Sequence, residues 1–346
     1  SHNYSNLISA AAANNKITIL LYDIDNDGVP SGTAARVVGL FDSTNNFTEE
    51  TFSDSNERIM FYLDAPLFAN DSDGNGDWDI NADFWPNEVV STLAHEFQHM
   101  IHYFQKQIKN NTGYTETWLN EMCSMVAEDL VSDKIMANGP RGVPYSDGTA
   151  GDYPITADRL ARYNYYNDEN LVYWPSGGAS NEEYLKHYSL SYSFGSYLAR
   201  NYNGPELFQN IVQNGYTDQQ AVEAALAAGG YGATTFARVL QRWGVGTLLS
   251  DRTNVQKMYQ YNLGDFFTFS FDGITYKTGS INLYNYQFTD SDPQQRGPKI
   301  YSGPSIGQSN LAPASNTLYL AGSGLSGVNS WDISLPENVK MSVVFK

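Results

Sequence analysis

The stretch that decides the fold runs from Val89 to Lys106 and reads VVSTLAHEFQHMIHYFQK. Its apolar residues recur at helical spacing, which predicts an α-helix. On such a helix His99 lies about 40° around the axis and roughly 6 Å along it from His95, so both imidazoles can reach one ion. Glu96 lies about 100° from His95 and can approach a water molecule on that ion.

The apolar side chains of this helix fall on the side of the helical wheel that lies opposite the histidines. This separation predicts a core face and a distinct chemical face. The predicted core face consists of Val90, Leu93, Phe97, Met100, Ile101 and Phe104.

The spacing of His95, Glu96 and His99 suits zinc. Zn²⁺ binds nitrogen and oxygen ligands in a tetrahedron, and a catalytic zinc keeps one position for water. The pattern HExxH on a helix supplies two nitrogens and a base. The alternative is that two of the five histidines in the chain fall four residues apart by chance. That alternative does not explain their common place on the polar side of the helix, so the pattern favours metal.

Composition narrows the functional class. Thirty-eight acidic and twenty basic residues give a net charge of −18 over 346 residues, which argues against nucleic acid and anionic membranes as partners. The single cysteine, Cys123, excludes an internal disulfide and a cysteine metal cluster. No run of 18 apolar residues occurs, so we expect no membrane insertion. Abundant Tyr, Asn, Ser, Thr and Gly with few Lys favour an exported protein.

Three β-branched or apolar runs precede the helix. Lys16 to Asp23 predicts a buried strand, and Ala35 to Phe41 and Arg58 to Asp64 predict two more, giving a small mixed or antiparallel sheet. Asp23-Ile-Asp-Asn-Asp-Gly28 resembles the start of a calcium loop, but Ala34 stands where a bidentate Glu is needed. A plain acidic turn is the favoured interpretation there.

A second acidic stretch lies between the sheet and the helix. Its alternate residues offer hard oxygens, which suit Ca²⁺, and Gly74 and Gly76 permit sharp turns. The candidate calcium ligands are Asp71, Asp73, Asn75, Asp77 and Asp79. A metal-free acidic loop is an equal alternative, because Ala82 occupies the twelfth position.

A third zinc ligand is expected from a second predicted helix, Glu116 to Lys134. On this helix Glu121 and Glu128 share a face, whereas Glu116 points more than about 90° away. We choose Glu121 as the ligand, because it is nearer the turn. For Glu121 the alternative is a carboxylate exposed to solvent. For Glu128 we prefer solvent exposure, and a hydrogen bond from Glu128 to a ligand histidine is the second interpretation.

The residues His95-Glu-Phe-Gln-His99, followed by Glu121 in Trp-Leu-Asn-Glu, resemble the gluzincin metallopeptidases. With the segment YDIDNDG and the context HEFQHMIHY, the chain most resembles the hyicolysin-like family of bacterial extracellular neutral metallopeptidases, over roughly residues 15 to 250. The resemblance implies a zincin fold, secretion or surface display, and peptide-bond hydrolysis. It also implies His95, His99 and Glu121 as zinc ligands and Glu96 as general base.

His102 lies on the same face but about 10 Å along the axis from His95, too far for a shared ion. We therefore expect a bystander or a residue that lines the cleft. A metzincin would instead need Gly at position 102 and His at position 105, where this chain has His102 and Gln105.

The segment from Ala137 to Glu183 has no sustained period and predicts a long loop that forms a wall of the cleft. Tyr184 to Gly204 predicts a helix ending at a glycine cap. This helix looks like the one that closes the cleft in many gluzincins, which use a Tyr or His to stabilise the oxyanion. Candidates for that role are Tyr188 first, then His187 and Tyr192, and packing is the alternative for each.

Three short helices are predicted from 204 to 250, and alternating strands follow to the end of the chain. We therefore predict an α+β protein in which a zincin-type catalytic region, with a small mixed sheet, an active-site helix and a helical subdomain, precedes a C-terminal all-β domain. The expected domains are 1–135 with the sheet and catalytic helices, 136–250 closing the cleft, and 251–346 as a sandwich-like β domain.

The function predicted for the whole chain is that of a zinc-dependent endopeptidase acting on protein or peptide substrates outside the cell. One alternative is a zincin-like surface binding or adhesion protein that holds metal without cleaving. Another is a zinc hydrolase that acts on a small amide.

Overall fold

The computed structural model describes residues 6–8, 16–24, 37–145, 148–151, 159–303 and 311–346. The chain is α+β, with a small sheet, a large helical body and short strands near the C-terminal end, as predicted. Most of the acidic turn that ends at Gly28 lies outside the described residues. Within the part that is described, none of the helices combines the length and apolar character that crossing a membrane requires.

The N-terminal sheet is mixed. Its strands are β1 (Thr18–Tyr22), β2 (Gly39–Leu40) and β3 (Met60–Asp64), and their order is β1-β3-β2. β3 pairs in parallel with β1 and antiparallel with β2. β3 contributes buried residues, but all five residues of β1 are exposed, so the prediction of a buried first strand was wrong. Among the described residues, β1 pairs with β3 alone and contributes nothing to the apolar cluster around Leu63, which explains this exposure.

After the short α1 (Ala65–Phe68) come the two helices that carry the predicted ligands, α2 (Phe84–Tyr103) and α3 (Thr117–Ile135). α2 continues as a π-helical turn, Phe104–Lys109. The ammonium group of Lys106 is fully buried there and donates hydrogen bonds to main-chain carbonyls of Ile211, Asn214 and Tyr216. These bonds fix the end of the ligand-bearing helix to the helical body.

The predicted core face of α2 was wrong in part. Met100 is buried, but Phe97, Ile101 and Phe104 are 42%, 40% and 52% exposed. The buried side of α2 is instead the polar one, because Ser91 and Gln98 form hydrogen bonds to side chains of α3. Satisfied polar groups can be buried at little cost, and this is the side on which the ligands must meet α3.

The helical body contains α4 (Arg159–Tyr166), α5 (Asn181–Asn201), α6 (Pro205–Gln213), α7 (Gln219–Ala228) and α8 (Phe236–Leu248). The prediction missed α4, which lies in the segment predicted as a loop. The three helices after 204 are as predicted, but Gly204 begins α6 and α5 ends at a C-cap at Tyr202.

α5 packs closely on α3, and Gly195 permits this approach. A Cβ atom at position 195 would lie 2.6 Å from Val126 Cγ2 and 2.7 Å from Met122 Cγ. The surrounding core is rich in aromatic rings, including those of Trp118, Tyr192 and Trp243, all fully buried. This contact holds the second half of α5 against the part of α3 that follows Glu121.

The C-terminal strands form three two-stranded sheets. They are β4 (Phe267–Phe271) with β5 (Ile274–Thr278), β6 (Gln287–Phe288) with β7 (Gln295–Arg296), and β8 (Ile300–Ser302) with β9 (Leu318–Leu320). In residues 251–303 and 311–346 these pairs do not assemble into two stacked sheets, and 339–345 is not a strand. Leu283, Tyr286 and Phe288 pack into the helical core.

Candidate metal centre

Three side chains from two helices converge at one point. His95 and His99 lie one turn apart on α2, and Glu121 lies on the first turns of α3. Glu121 Oε2 is 3.2 Å from Nε2 of His95 and 3.6 Å from Nε2 of His99. One ligand atom from each residue lies within 4.8 Å of the others. In a tetrahedral zinc site with bonds of 2.0–2.1 Å, ligand atoms are about 3.3 Å apart, so these residues fit zinc.

The second nitrogen of His95 is held by Glu128. Glu128 Oε1 lies 2.7 Å from Nδ1 of His95, and Ser91 donates a hydrogen bond of 2.8 Å to Oε2. Glu128 is only 5% exposed, so the preferred prediction of a solvated carboxylate was wrong and the second interpretation was right. The two-turn spacing from Glu121 directs Glu128 at α2 rather than at solvent.

His99 is oriented in the same way by α3. Its Nδ1 lies 3.1 Å from Ser124 Oγ and 3.2 Å from Asn120 Oδ1. Ser124 in turn donates to Gln98 on α2. Sequence reasoning did not identify these supporting residues, although Ser124 lies one turn after the ligand Glu121. With both Nδ1 atoms engaged, both Nε2 atoms are left to address a metal.

The charges of the three ligands are strongly coupled. Burial lowers the pKa of His95, but hydrogen bonds to Glu121 and Glu128 outweigh it and raise the pKa to about 10. Burial likewise opposes the charge of Glu121, yet His99 and His95 hold the pKa of this carboxyl far below its ordinary value. Without metal, the protonated imidazole of His95 is therefore stabilised by the carboxylates of Glu121 and Glu128.

Glu96 is not one of the three convergent residues and is 5% exposed. Burial raises its pKa, although the nearby charges of His95 and His99 act in the opposite direction. Gly39 of β2 lies against it: a Cβ atom there would be 2.9 Å from Glu96 Cγ and 2.6 Å from Thr92 Cγ2. The sequence analysis missed this glycine, which lets the sheet edge approach the carboxylate. A desolvated carboxylate beside the ligands has the properties of a proton acceptor.

Of the predicted oxyanion donors, Tyr188 is the one whose pKa is affected by the charges of both Glu121 and Glu96. Burial and the charge of Glu121 raise its pKa, and Glu96 adds to this effect. Its phenol therefore stays protonated and able to donate. The ring packs on Trp174, with centroids 5.0 Å apart.

His187 and Tyr192 lie in other surroundings. Nε2 of His187 is 3.4 Å from Glu183 Oε1, and its ring packs against Tyr173. Tyr192 is fully buried, and the charged residue that acts most strongly on its pKa is Asp129. The described contacts thus place neither residue with the three ligands.

His102 is 2% exposed and contacts Thr115 Oγ1 at 3.0 Å through Nε2. Burial lowers its pKa to about 3, so the ring is neutral at ordinary pH. It is a buried neighbour of the centre rather than a member of the convergent set.

The acidic loop before α2 brings together a different set of carboxylates from the five predicted calcium ligands. Asp71 and Asp73 meet Asp83, which is 1% exposed, whereas Asn75, Asp77 and Asp79 are exposed. The carboxylate of Asp83 accepts hydrogen bonds from the backbone N–H groups of Ser72, Asp73 and Asp79. Asp83 was not among the predicted ligands, because it lies one residue after the twelfth position of the loop, which is Ala82.

Comparisons with known proteins agree with this geometry. The profile of the family Peptidase M30 matches residues 1–258. The chain is also similar to a neutral metalloprotease, ShpI, of Staphylococcus hyicus, with 28% identity over 222 residues. That match covers 61% of this chain and 41% of the relative, so the chain spans less than half of the relative's length.

Proposed function

The chain belongs to the Peptidase M30 family, and from that premise we propose that it is a zinc-dependent endopeptidase that hydrolyses peptide bonds of proteins. The observation that carries the proposal is the convergence of His95 and His99 Nε2 on the Glu121 carboxylate, at 3.2 and 3.6 Å. Two neutral imidazoles and one carboxylate form the ligand set of a catalytic zinc of the gluzincin type, which leaves a position for water.

When bound, zinc polarises the scissile carbonyl and lowers the pKa of a water molecule. Glu96 accepts the proton of the attacking water and later delivers it to the leaving amine. Its burial beside Gly39 supports this role, because desolvation brings a carboxylate pKa closer to neutral pH. Glu128 and Ser124 hold the two histidines in the orientation that presents Nε2.

Tyr188 is proposed to donate a hydrogen bond to the oxyanion. Its support is electrostatic: the hydroxyl lies within reach of the charges of Glu121 and Glu96, and its raised pKa keeps the donated proton in place. His187 remains a less favoured candidate, because its described contacts are with Glu183 and Tyr173.

The substrate backbone is proposed to lie along β2. In the described residues β2 pairs with β3 on one side only, and Gly39 is in contact with Glu96. An extended peptide can add to such a strand edge through main-chain hydrogen bonds. This position would bring a peptide bond to the base and the metal together.

The proposal also includes secretion or surface display, a calcium ion held by Asp71, Asp73 and Asp83, and the three domains 1–135, 136–250 and 251–346. The abundance of Tyr, Asn, Ser, Thr and Gly with few Lys supports an extracellular setting. The three carboxylates support calcium through their hard oxygens.

The experiment that tests the function replaces Glu96 by Gln. We expect Glu96→Gln to retain zinc, because Glu96 is not a ligand, and to lose casein hydrolysis by a factor of at least about 100. Zinc is measured by elemental analysis and hydrolysis by release of acid-soluble peptides. The matched control is Glu50→Gln, which changes an exposed glutamate and should leave both values as in the wild type. A Glu96→Gln protein that cleaves casein at the wild-type rate would exclude Glu96 as base.

A further inference from the structure

Arg159, the first residue of α4, is a buried cation beside the proposed active site. Its side chain stacks on the ring of Tyr188, with Cζ 4.6 Å from the ring centroid. The residue is only 5% exposed. Within the described parts of the chain, its Nε and Nη1 are buried and have no hydrogen-bond partner. This is unusual for a guanidinium group, which carries five N–H donors.

The charge of Arg159 is not neutralised by an ion pair in the described residues. Burial lowers the pKa of Arg159 to about 10, so the group is still protonated at neutral pH. Glu128 lies within electrostatic reach, but its two oxygens already serve His95 and Ser91. A buried charge without a partner costs free energy, and an anion supplied from outside would recover it.

The guanidinium contacts the aromatic residue that we assign to the oxyanion. The pKa of Tyr188 is affected by charges of both signs. The carboxylates of Glu121 and Glu96 raise it, and the guanidinium groups of Arg159 and Arg141 lower it. Arg159 stacks directly on the ring of Tyr188, whose hydroxyl we assign to the oxyanion. In a chain of net charge −18, this local positive charge differs from its surroundings.

We propose that Arg159 binds a carboxylate of the substrate and so determines which peptide bonds are cleaved. The proposal rests on the proposed peptidase function. The planar fork of the guanidinium matches a carboxylate in a two-point hydrogen bond, which Lys cannot reproduce. The carboxylate can come from an Asp or Glu side chain near the scissile bond or from the C-terminus of a short peptide.

The test uses peptides with one cleavable bond, acetylated and amidated at their ends, in which each flanking position carries Glu or its neutral isostere Gln. A parallel pair differs only in a free or amidated C-terminus. We expect kcat/KM to favour the carboxylate at least about tenfold at one position or at the C-terminus. In Arg159→Gln the ratio should fall to near one, and in Arg159→Lys it should be intermediate. The control Arg238→Gln removes an exposed arginine and should keep the wild-type ratio.

Two outcomes overturn the proposal. One is a wild-type enzyme that cleaves all matched pairs at equal rates, and this result needs no variant to fold. The other is a preference that survives in Arg159→Gln.

Failure of the peptidase function itself is recognised separately, because no peptide would then be cleaved. In that case, binding of the same peptide pairs to the zinc-loaded protein, measured by calorimetry, still tests Arg159. Equal Kd values for the Glu and Gln peptides would overturn the proposal. A lower Kd for the Glu peptide in the wild type, with no such difference in Arg159→Gln, would support it.

Discussion

The hydrogen bond between Glu128 and His95 determines which nitrogen of the imidazole is free. With Nδ1 2.7 Å from the Glu128 carboxylate, the proton of the neutral ring stays on Nδ1 and the lone pair of Nε2 is available. Ser124 and Asn120 contact Nδ1 of His99 in a comparable way. The ligand geometry thus depends on residues that bind no metal themselves.

Replacing Glu128 by Gln tests this dependence. The amide keeps an oxygen acceptor but removes the charge that makes His95 a more basic ligand, so zinc affinity should fall about 10- to 100-fold. Competition with a chromophoric chelator measures the affinity. The control Asp133→Asn lies on the same helix and changes a carboxylate that has no described hydrogen bond or ion pair to the three ligands. Equal affinity of Glu128→Gln and the wild type would show that Glu128 does not support the centre.

At the scale of elements, helical spacing predicted α2, α3 and the approach of Glu121 to the histidines. The orientation of α2 was not predictable from apolar periodicity, because its polar face is buried by hydrogen bonds such as that between Ser124 and Gln98. Those bonds join residues distant in sequence, and their partners are known only once the helices pack. The helix α4, with Arg159, was missed because it is short and its own residues, RLARYNYY, are mostly Tyr, Arg and Asn.

The acidic loop before α2 carries an element-scale prediction. If Asp71, Asp73 and Asp83 hold calcium, millimolar Ca²⁺ added to zinc-loaded protein should raise the melting temperature by a few degrees through binding to the folded state. Asp83→Asn should abolish this increase, whereas Asp54→Asn, an exposed aspartate outside the loop, should keep it. Differential scanning calorimetry gives the measurement. If calcium does not change the melting temperature of the wild-type protein, the calcium proposal is wrong and the loop is a metal-free acidic turn.

For the whole molecule, the sequence predicted the α+β class and the order of sheet, helices and strands. It did not predict that residues 281–288 join the helical core, because local strand propensity contains no information about which surface a segment packs on. The candidate site was predicted better than the C-terminal region. The ligand pattern depends on short helical distances, whereas Gly39 and Arg159 reach the site only through tertiary packing.

Zinc binding should be coupled to the protonation of the histidines at the candidate metal centre. In the metal-free chain the pKa of His95 is about 10, so at pH 8 its imidazole carries a proton that zinc must displace. The pKa of His99 is raised as well, because the opposing effect of burial is outweighed mainly by the charge of Glu121. Zinc affinity should therefore rise with pH by about tenfold per unit for each displaced proton, up to about pH 10 for His95.

Calorimetry at pH 8 in two buffers of different ionisation enthalpy counts the released protons. We expect at least one proton per zinc ion, because His95 deprotonates on binding while Glu121 is already ionised. Zinc binding without proton release would contradict the charge states described for the metal-free centre.

The most direct test is anomalous X-ray diffraction from a crystal of the zinc-loaded protein, collected on both sides of the zinc absorption edge. We predict one strong peak bonded to Nε2 of His95, Nε2 of His99 and the carboxylate of Glu121, with bonds of about 2 Å. A peak that instead includes His102 or Glu128 as a ligand, or the absence of a peak between α2 and α3, would contradict the account.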